Sequence, residues 1–512
     1  MPFDVQSIDW LAIGPVVAVA VAALVVLLAD LFLEGARKAV LPWLTLAGLG
    51  AALVSLLPLH RDDSTARGTF CSPSGCSYVV TDLTLVLQLV LLGSAVVVVL
   101  LSMPMSSVPR TGETEGEVPG GEYHFLLLSS VTGAVALAGA RDLLTLVVAL
   151  ETLSLPAFAL VGLRRDGPGG EAALKFFLLS VAATAVMLFG VSLVYGSTGS
   201  VHLARIAADL ERLDPRLTAV AATGAMLTMV GFAFKVAAVP FHFWVPDTYR
   251  GAPIPVAAYL SVVSKTAGFA GLLLVAGIAF RPYAHIWGPA LAVLAAATMT
   301  AGNVAALRQT DAVRLLAWSS IAQSGYVLVP FGTAAGHGED LADTLPAAVA
   351  YLAVYAVMNL GAFAVVTLVA RERGGLVSDH RALFRSRPVG AAAMAFFLLC
   401  LAGIPPGLAG LFAKVTVFQA VIDSGTGWLA VVMAVNVVIG LYYYLVWTAQ
   451  LFAPALPGPP SPAGGRSGAV DGAVRTPAPL VAALVVTGAL GVLLSVAPQV
   501  VLHVLTVPGL LG

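Results

Sequence analysis

The sequence predicts an all-α polytopic membrane protein, and three observations carry that prediction. Apolar residues make up 59% of the 512-residue chain and charged ones only 10%, against about 25% charged in soluble domains. Mean hydropathy is +0.95. The apolar residues fall in runs of about twenty, the length an α-helix needs to cross the hydrocarbon layer. The net charge of −1 argues against a nucleic-acid partner and leaves the lipid bilayer as the surroundings.

Fourteen runs qualify as spans: 10–33, 39–59, 81–103, 123–140, 143–163, 171–196, 217–239, 254–279, 285–307, 315–334, 345–370, 389–421, 427–452 and 478–505. Asp4 and Asp9 precede the first run with no basic stretch before it, so that run is expected to stay as a helix and not be cleaved as a signal. Between runs two and three lies a polar loop with Cys71 and Cys76; Cys400 sits alone in apolar sequence. A short disulfide, formed if the loop faces an oxidising space, and two free surface thiols are both open. Residues 104–122, with Glu113, Glu115, Glu117 and Glu122, read as a solvated loop, and 453–477 reads as a Pro/Gly/Ala linker.

Two runs are expected to be broken. The seventh carries Lys235 and leads into Pro240, His242, Trp244, Pro246, Asp247, Tyr249, Gly251, Pro253 and Pro255, before the eighth run with Lys265. The twelfth contains Ile404-Pro405-Pro406-Gly407. Each proline removes a backbone donor and clashes with the preceding turn. A broken helix at membrane depth survives only against protein or a wet cavity, and buried charge beside such a break is the layout of an ion pathway.

Fourteen crossings put both termini on one side of the membrane. One set of loops holds 15 basic residues and the other 7. The richer set is expected to be cytoplasmic, so both termini and the Cys71/Cys76 loop face outward. The other four basic residues, Lys175, Lys235, Lys265 and Lys414, lie inside the runs. An ammonium at the bilayer centre costs roughly 2.5–3.5 kcal/mol. Arginine outnumbers lysine 21 to 5, yet lysine occupies the apolar runs. Burial lowers an ammonium's pKa by up to about 3–5 units, towards neutrality, whereas arginine stays protonated. The distribution therefore points to proton carriers. Lys175, near the start of its helix, either joins them or snorkels to the interface.

Glu151, deep in the fifth run, is the natural partner for a buried lysine, with Lys235 the expected one; a purely structural ion pair is the alternative. His242 is expected to relay protons or to bond backbone groups freed by the break. Asp247 with Arg250 reads as a cytoplasmic-side cap or ion pair of structural role, and Trp244 and Tyr249 as an interfacial belt. The chain has no P-loop lysine, no strand-borne G-x-G-x-x-G, no zinc or iron–sulfur ligand cluster and no evident haem histidine pair, so no redox cofactor or metal is expected on it.

The text from Lys235 through PFHFWVPDTYRGAPIPV to Lys265 resembles the signature of the antiporter-like subunits of proton-pumping NADH:quinone oxidoreductase (respiratory complex I). That family also holds subunits of Mrp-type Na⁺/H⁺ antiporters and membrane-bound hydrogenases. ALETLSLPAFALVG around Glu151, RLLAWSSIAQSGY at 314–326 and GIPPGLAGLFAKVTVF at 403–418 add to the resemblance, which covers about 123–452. It implies two inverted five-helix repeats, 123–280 and 281–452, flanked by 1–122 and 453–512. It implies that Glu151 and Lys235 form a tunable ion pair, that Lys265 is the central relay, that Lys414 is the terminal proton site and that Lys175 is a secondary lysine. Relatives carry histidine where this chain has Gln323, which leaves a water-ordering glutamine as the possible relay. NADH, FMN, iron–sulfur clusters and quinone are expected in partner subunits, and neighbouring antiporter-like subunits are expected partners. Lysine at 414 and a chain stopping soon after its last span resemble the subunit N branch. An inert scaffold held together by lysine pairs is the competing class.

Overall fold

Inside a bilayer, backbone groups must be satisfied within the chain, which leaves helices or a closed barrel. This chain uses helices. The computed structural model describes residues 8–60, 66–105, 120–335, 341–454 and 476–499. The acidic residues Glu113, Glu115 and Glu117 and most of the expected linker lie outside the described residues.

The first helices are α1 (Trp10–Phe32), α2 (Leu41–Val54) and the short α3 (Leu57–His60). A hairpin of β1 (Arg67–Ser72) and β2 (Gly75–Val80) follows, then α4 (Asp82–Ser102), α5 (Gly120–Gly139), α6 (Leu143–Val161) and α7 (Gly167–Thr198). Next come the short α8 (Leu203–Leu210), α9 (Thr218–Lys235), α10 (Trp244–Gly251), α11 (Ile254–Tyr259) and α12 (Lys265–Leu274). The remainder is α13 (Ala284–Ala306), α14 (Ala312–Gly332), α15 (Leu341–Glu372), the short α16 (Leu383–Ser386), α17 (Pro388–Ala402), α18 (Leu408–Asp423), α19 (Gly427–Phe452) and α20 (Ala478–Val496). Aspartates start several of them: Asp9, Asp142, Asp166 and Asp311 each accept backbone N–H bonds at a helix N-terminus.

Among the described residues, eleven helices are long and apolar enough to cross a membrane, and Pro388–Ala402 is a shorter apolar one. Helices α5 and α14 stand at two further expected runs; Glu122 and His124 in one, and the serines and Gln323 of the other, dilute their apolar character. The polar Cys71/Cys76 loop folds as the β1–β2 hairpin. Cys71 faces Cys76 across the hairpin and the two sulfurs are bonded. Tyr78 anchors the hairpin: its ring packs on Gly139, and its hydroxyl accepts from Gln88 Nε2 at 2.7 Å.

Contacts between loops sort the helix ends into two faces. On the hairpin face, Asp9 meets Thr69, Tyr78 pairs with Ala140, and Ser72 and Asp142 both meet His202. On the opposite, arginine face, Arg164 donates to Arg250 O, Arg250 pairs with Asp311, Asp311 bridges to Leu376, and Arg371 donates to Pro104 O. Successive helix ends alternate between the faces.

The two halves echo one another. Asp142 caps α6 and Asp311 caps α14, and each pairs with the loop beyond the next long helix, at His202 and Leu376. A Cβ on Gly133 would fall 2.3 Å from Leu153 N, and one on Gly302 would fall 2.4 Å from Ala322 N, so both helix pairs need glycine to close. Helix breaks follow α9 and part α17 from α18. The Ile254–Ala279 and Thr344–Glu372 spans are the most enclosed among the described residues.

Candidate functional site

The first break follows α9, whose last residue is Lys235. Residues 236–243 leave the helix around Pro240, and the freed groups find partners. Trp244 Nε1 donates to Phe234 O at 3.1 Å, and Val239 N donates to Thr298 Oγ1 at 2.9 Å. Trp244 also stacks on Phe176, with ring centroids 4.5 Å apart. Trp244 and Tyr249 are thus buried and form no interfacial belt: mending the broken helix end draws the indole inward.

Lys235 is 2% exposed. Its ammonium donates to Ser154 Oγ at 2.8 Å, and the Ser154 hydroxyl in turn donates to Leu150 O at 2.6 Å. The Phe176 ring lies 5.9 Å from the same nitrogen. The lysine stem crosses α12 at Gly268, where a Cβ would come within 3.0 Å of Lys235 Cγ. Glu151 sits one turn before Ser154 on α6, but its Oε1 accepts from Thr184 Oγ1 at 2.8 Å. The expected Glu151–Lys235 pair is therefore open: Ser154 holds the ammonium while the carboxylate turns to α7.

Lys265 follows a π-helical turn, Leu260–Ser264, a local widening that is common at functional positions. It is 1% exposed and donates to Ser320 O at 2.7 Å and Ser324 Oγ at 3.0 Å. The Tyr355 hydroxyl donates to Ser320 Oγ at 2.8 Å. One turn along, Gln323 Oε1 accepts from the Tyr351 hydroxyl at 2.6 Å, while its Nε2 donates to Tyr444 Oη at 3.0 Å and Leu401 O at 3.3 Å.

The second break separates α17 from α18 at Gly403, Pro405 and Pro406. Lys414, on the second turn of α18, folds back to donate to Leu401 O at 3.0 Å and Ala402 O at 2.6 Å. These are free carbonyls at the end of α17, where a cation is favourable. Leu401 O therefore accepts from both Gln323 and Lys414. Gly403, at φ +81°, makes room: a Cβ there would be 2.9 Å from Lys414 Cδ. The Tyr326 ring lies 5.5 Å from the Lys414 nitrogen.

Two further expectations need correction. Lys175 does not join the buried row. Its side chain is 47% exposed and pairs with Glu171 at 2.6 Å and Asp247 at 3.2 Å, because the first turns of α7 reach the arginine face. Asp247 and Arg250 do not pair with each other; Asp247 takes Lys175 and Arg314, and Arg250 takes Asp311. His242 is buried beside Trp318 and meets the Pro240 backbone at the break, one of the two roles expected of it.

The contacts that sequence reasoning missed are Ser154, Ser320, Ser324, Tyr351, Tyr355 and Tyr444. Their one signal is hydroxyl residues inside apolar helical text, densest in SSIAQSGY. Among the described residues no group of three His, Cys, Asp or Glu gathers as a metal site requires.

Residues 140–440 match the family model described as NADH:quinone oxidoreductase/Mrp antiporter, TM. NADH-quinone oxidoreductase subunit N 2 of Streptomyces griseus is 56% identical, over 98% of this chain and 94% of the relative. The chain belongs to the NADH-quinone oxidoreductase subunit N family. Among solved structures of this wider family, a chain of respiratory complex I from Thermus thermophilus with bound Aureothin is 32% identical, with a TM-score of 0.74 over 96% of this chain and 98% of that one. A chain of the Mrp complex from Dietzia sp. DQ12-45-1b shares the fold, with a TM-score of 0.80 over 97% of this chain and 96% of that one at 21% identity.

Proposed function

We propose that this subunit N family member carries protons across a bacterial inner membrane as a subunit of an NADH:quinone oxidoreductase. Electron transfer, with NADH, FMN, iron–sulfur clusters and quinone, takes place on partner subunits. The observation that carries this reading is the row Lys235, Lys265 and Lys414. Each is buried, each is held by hydroxyl or carbonyl oxygens, and none has a carboxylate within salt-bridge distance among the described residues.

A scaffold would not be built this way. An uncompensated buried charge costs several kcal/mol, on the order of 3–5 when a partner is missing, and apolar side chains would pack the same space without that cost. A lysine that gains and sheds a proton has a use for such a site. Glu151 acts as the switch: swinging from Thr184 towards Lys235 holds the proton there, and swinging back releases it to Lys265. Ser320, Ser324 and Gln323 order the route from Lys265 to the Leu401 carbonyl that Lys414 shares. Lys175 takes no part beyond the surface cluster.

The arginine face is cytoplasmic by the positive-inside rule, which puts the hairpin and both termini outside. A disulfide-bonded hairpin suits that oxidising side. Residues 123–280 and 281–452 are the two inverted repeats, flanked by 1–122, with the first three spans and their loops, and by 453–512, with the linker and the last span. Cation exchange in an Mrp-type assembly has the shared family model and a fold likeness at 21% identity behind it, against a 56% identical relative named NADH-quinone oxidoreductase subunit N 2. Lys235→Ala in the assembled complex is expected to lower both NADH-driven proton pumping and coupled turnover. Parent values for both, with full assembly, would overturn the role of Lys235.

A further inference from the structure

The Lys235–Ser154 contact has a support at each end, and both lead to the Ile254–Ala279 span that carries Lys265. At the lysine end, the stem crosses α12 at Gly268, one turn beyond Lys265. At the other end, the acceptor belongs to a weakened stretch of α6. Pro156, inside that helix, has no N–H to offer the Thr152 carbonyl, so the hydrogen-bond ladder lacks a rung beside Ser154.

Helix α5 closes on that stretch. Gly133 lets the two backbones approach, since a Cβ there would fall 2.6 Å from Ala149 O and 2.8 Å from Thr152 C. One turn earlier on α5, the Ser130 hydroxyl donates to Leu153 O at 2.5 Å. Ser130 Oγ in turn accepts from the Tyr259 hydroxyl at 2.6 Å. Tyr259 is the last residue of α11, and the π-helical turn Leu260–Ser264 leads from it straight into Lys265. Tyr259, Ser130 and Leu153 are all fully buried, where low polarity strengthens both bonds.

We propose that Tyr259 is a positioning residue: through Ser130 it braces the proline-weakened turn of α6 and so fixes the Ser154 oxygen where the Lys235 ammonium meets it. Lysine and acceptor are thereby both set against the span that carries Lys265, the stem by Gly268 and the oxygen by Tyr259. A turn held in this way stays in place while Glu151, on the turn before, swings between Thr184 and Lys235. Tyr259 moves no proton itself, and no covalent bond changes. The brace rests on the reading of Lys235 as a proton carrier.

The test measures protons pumped per NADH oxidised by the assembled complex in proteoliposomes, with complex content read on native gels and NADH oxidation read again after uncoupling. Tyr259→Phe keeps the ring and deletes only the hydroxyl. Its pumping is expected to fall at least twofold at parent complex content and parent uncoupled oxidation. Ser130→Ala, which cuts both bonds, is expected to fall further, and Ser130→Thr, which keeps a hydroxyl, to recover most of that loss. A part in helix packing alone would lower complex content and leave pumping per NADH unchanged, and that result overturns the brace. Parent-like pumping by Tyr259→Phe, or equal losses in Ser130→Thr and Ser130→Ala, overturns it as well, while a defective Lys235→Ala keeps the carrier reading intact. Parent-like pumping by Lys235→Ala removes the carrier role and the brace with it.

Discussion

Ser154→Ala isolates one link of the row. The substitution deletes a single oxygen on α6 and leaves Lys235, 2% exposed, without the acceptor 2.8 Å from its nitrogen. A hydrogen bond to a charged group is worth roughly 1.5–3 kcal/mol. At 1.36 kcal/mol per tenfold, losing it slows the step that loads Lys235 by roughly 10- to 160-fold. Leu150 O loses only a second donor, since it remains inside α6. The assay is proton uptake per NADH oxidised in proteoliposomes, with complex content checked on native gels. Ser154→Ala should assemble and pump poorly, and Ser154→Thr, which restores the hydroxyl, should recover most of the loss. If Ser154→Ala pumps at the parent rate with parent complex content, the contact is incidental and the placement of Lys235 carries no function.

Lys175→Ala removes two exposed ion pairs that solvent largely screens, so pumping and melting temperature should stay near the parent; a large pumping loss would return Lys175 to the pathway. His380 lies in the loop beyond α15, and burial pushes its imidazole down from 6.5 to about 4. The folded state therefore favours the neutral ring. Its contribution is fully present above pH 6.5 and is lost as pH falls from 6.5 towards 4, up to roughly 3 kcal/mol at 1.36 kcal/mol per unit. Melting curves of His380→Phe should lose less stability than the parent across that window; parallel curves would contradict the assignment.

The buried row could be read from residue type alone because lysine is scarce here and sits where lysine is expensive. Lys235, Lys265 and Lys414 needed no partner to be conspicuous. Lys175 looked the same in the text, yet a position near a helix start does not tell how far the helix projects past the bilayer, and α7 runs for 32 residues. Trp244 was misplaced because aromatics beside prolines suit an interface and a repaired helix end equally well. The partners of the lysines were illegible for a different reason. Ser154 meets Lys235 from 81 residues away and Tyr444 meets Gln323 from 121, and hydrophobic periodicity carries no information about which helices face each other. The open state of Glu151 depends on rotamers, which composition does not encode.

The central claim is that protons cross through the middle of the row. Protons pumped per electron pair in reconstituted complex carrying Lys265→Met test it most directly, because that side chain keeps the bulk and removes only the titratable group. The ratio should fall while assembly and NADH oxidation by the partner subunits persist in uncoupled membranes. A parent ratio from a fully assembled Lys265→Met complex would contradict the account.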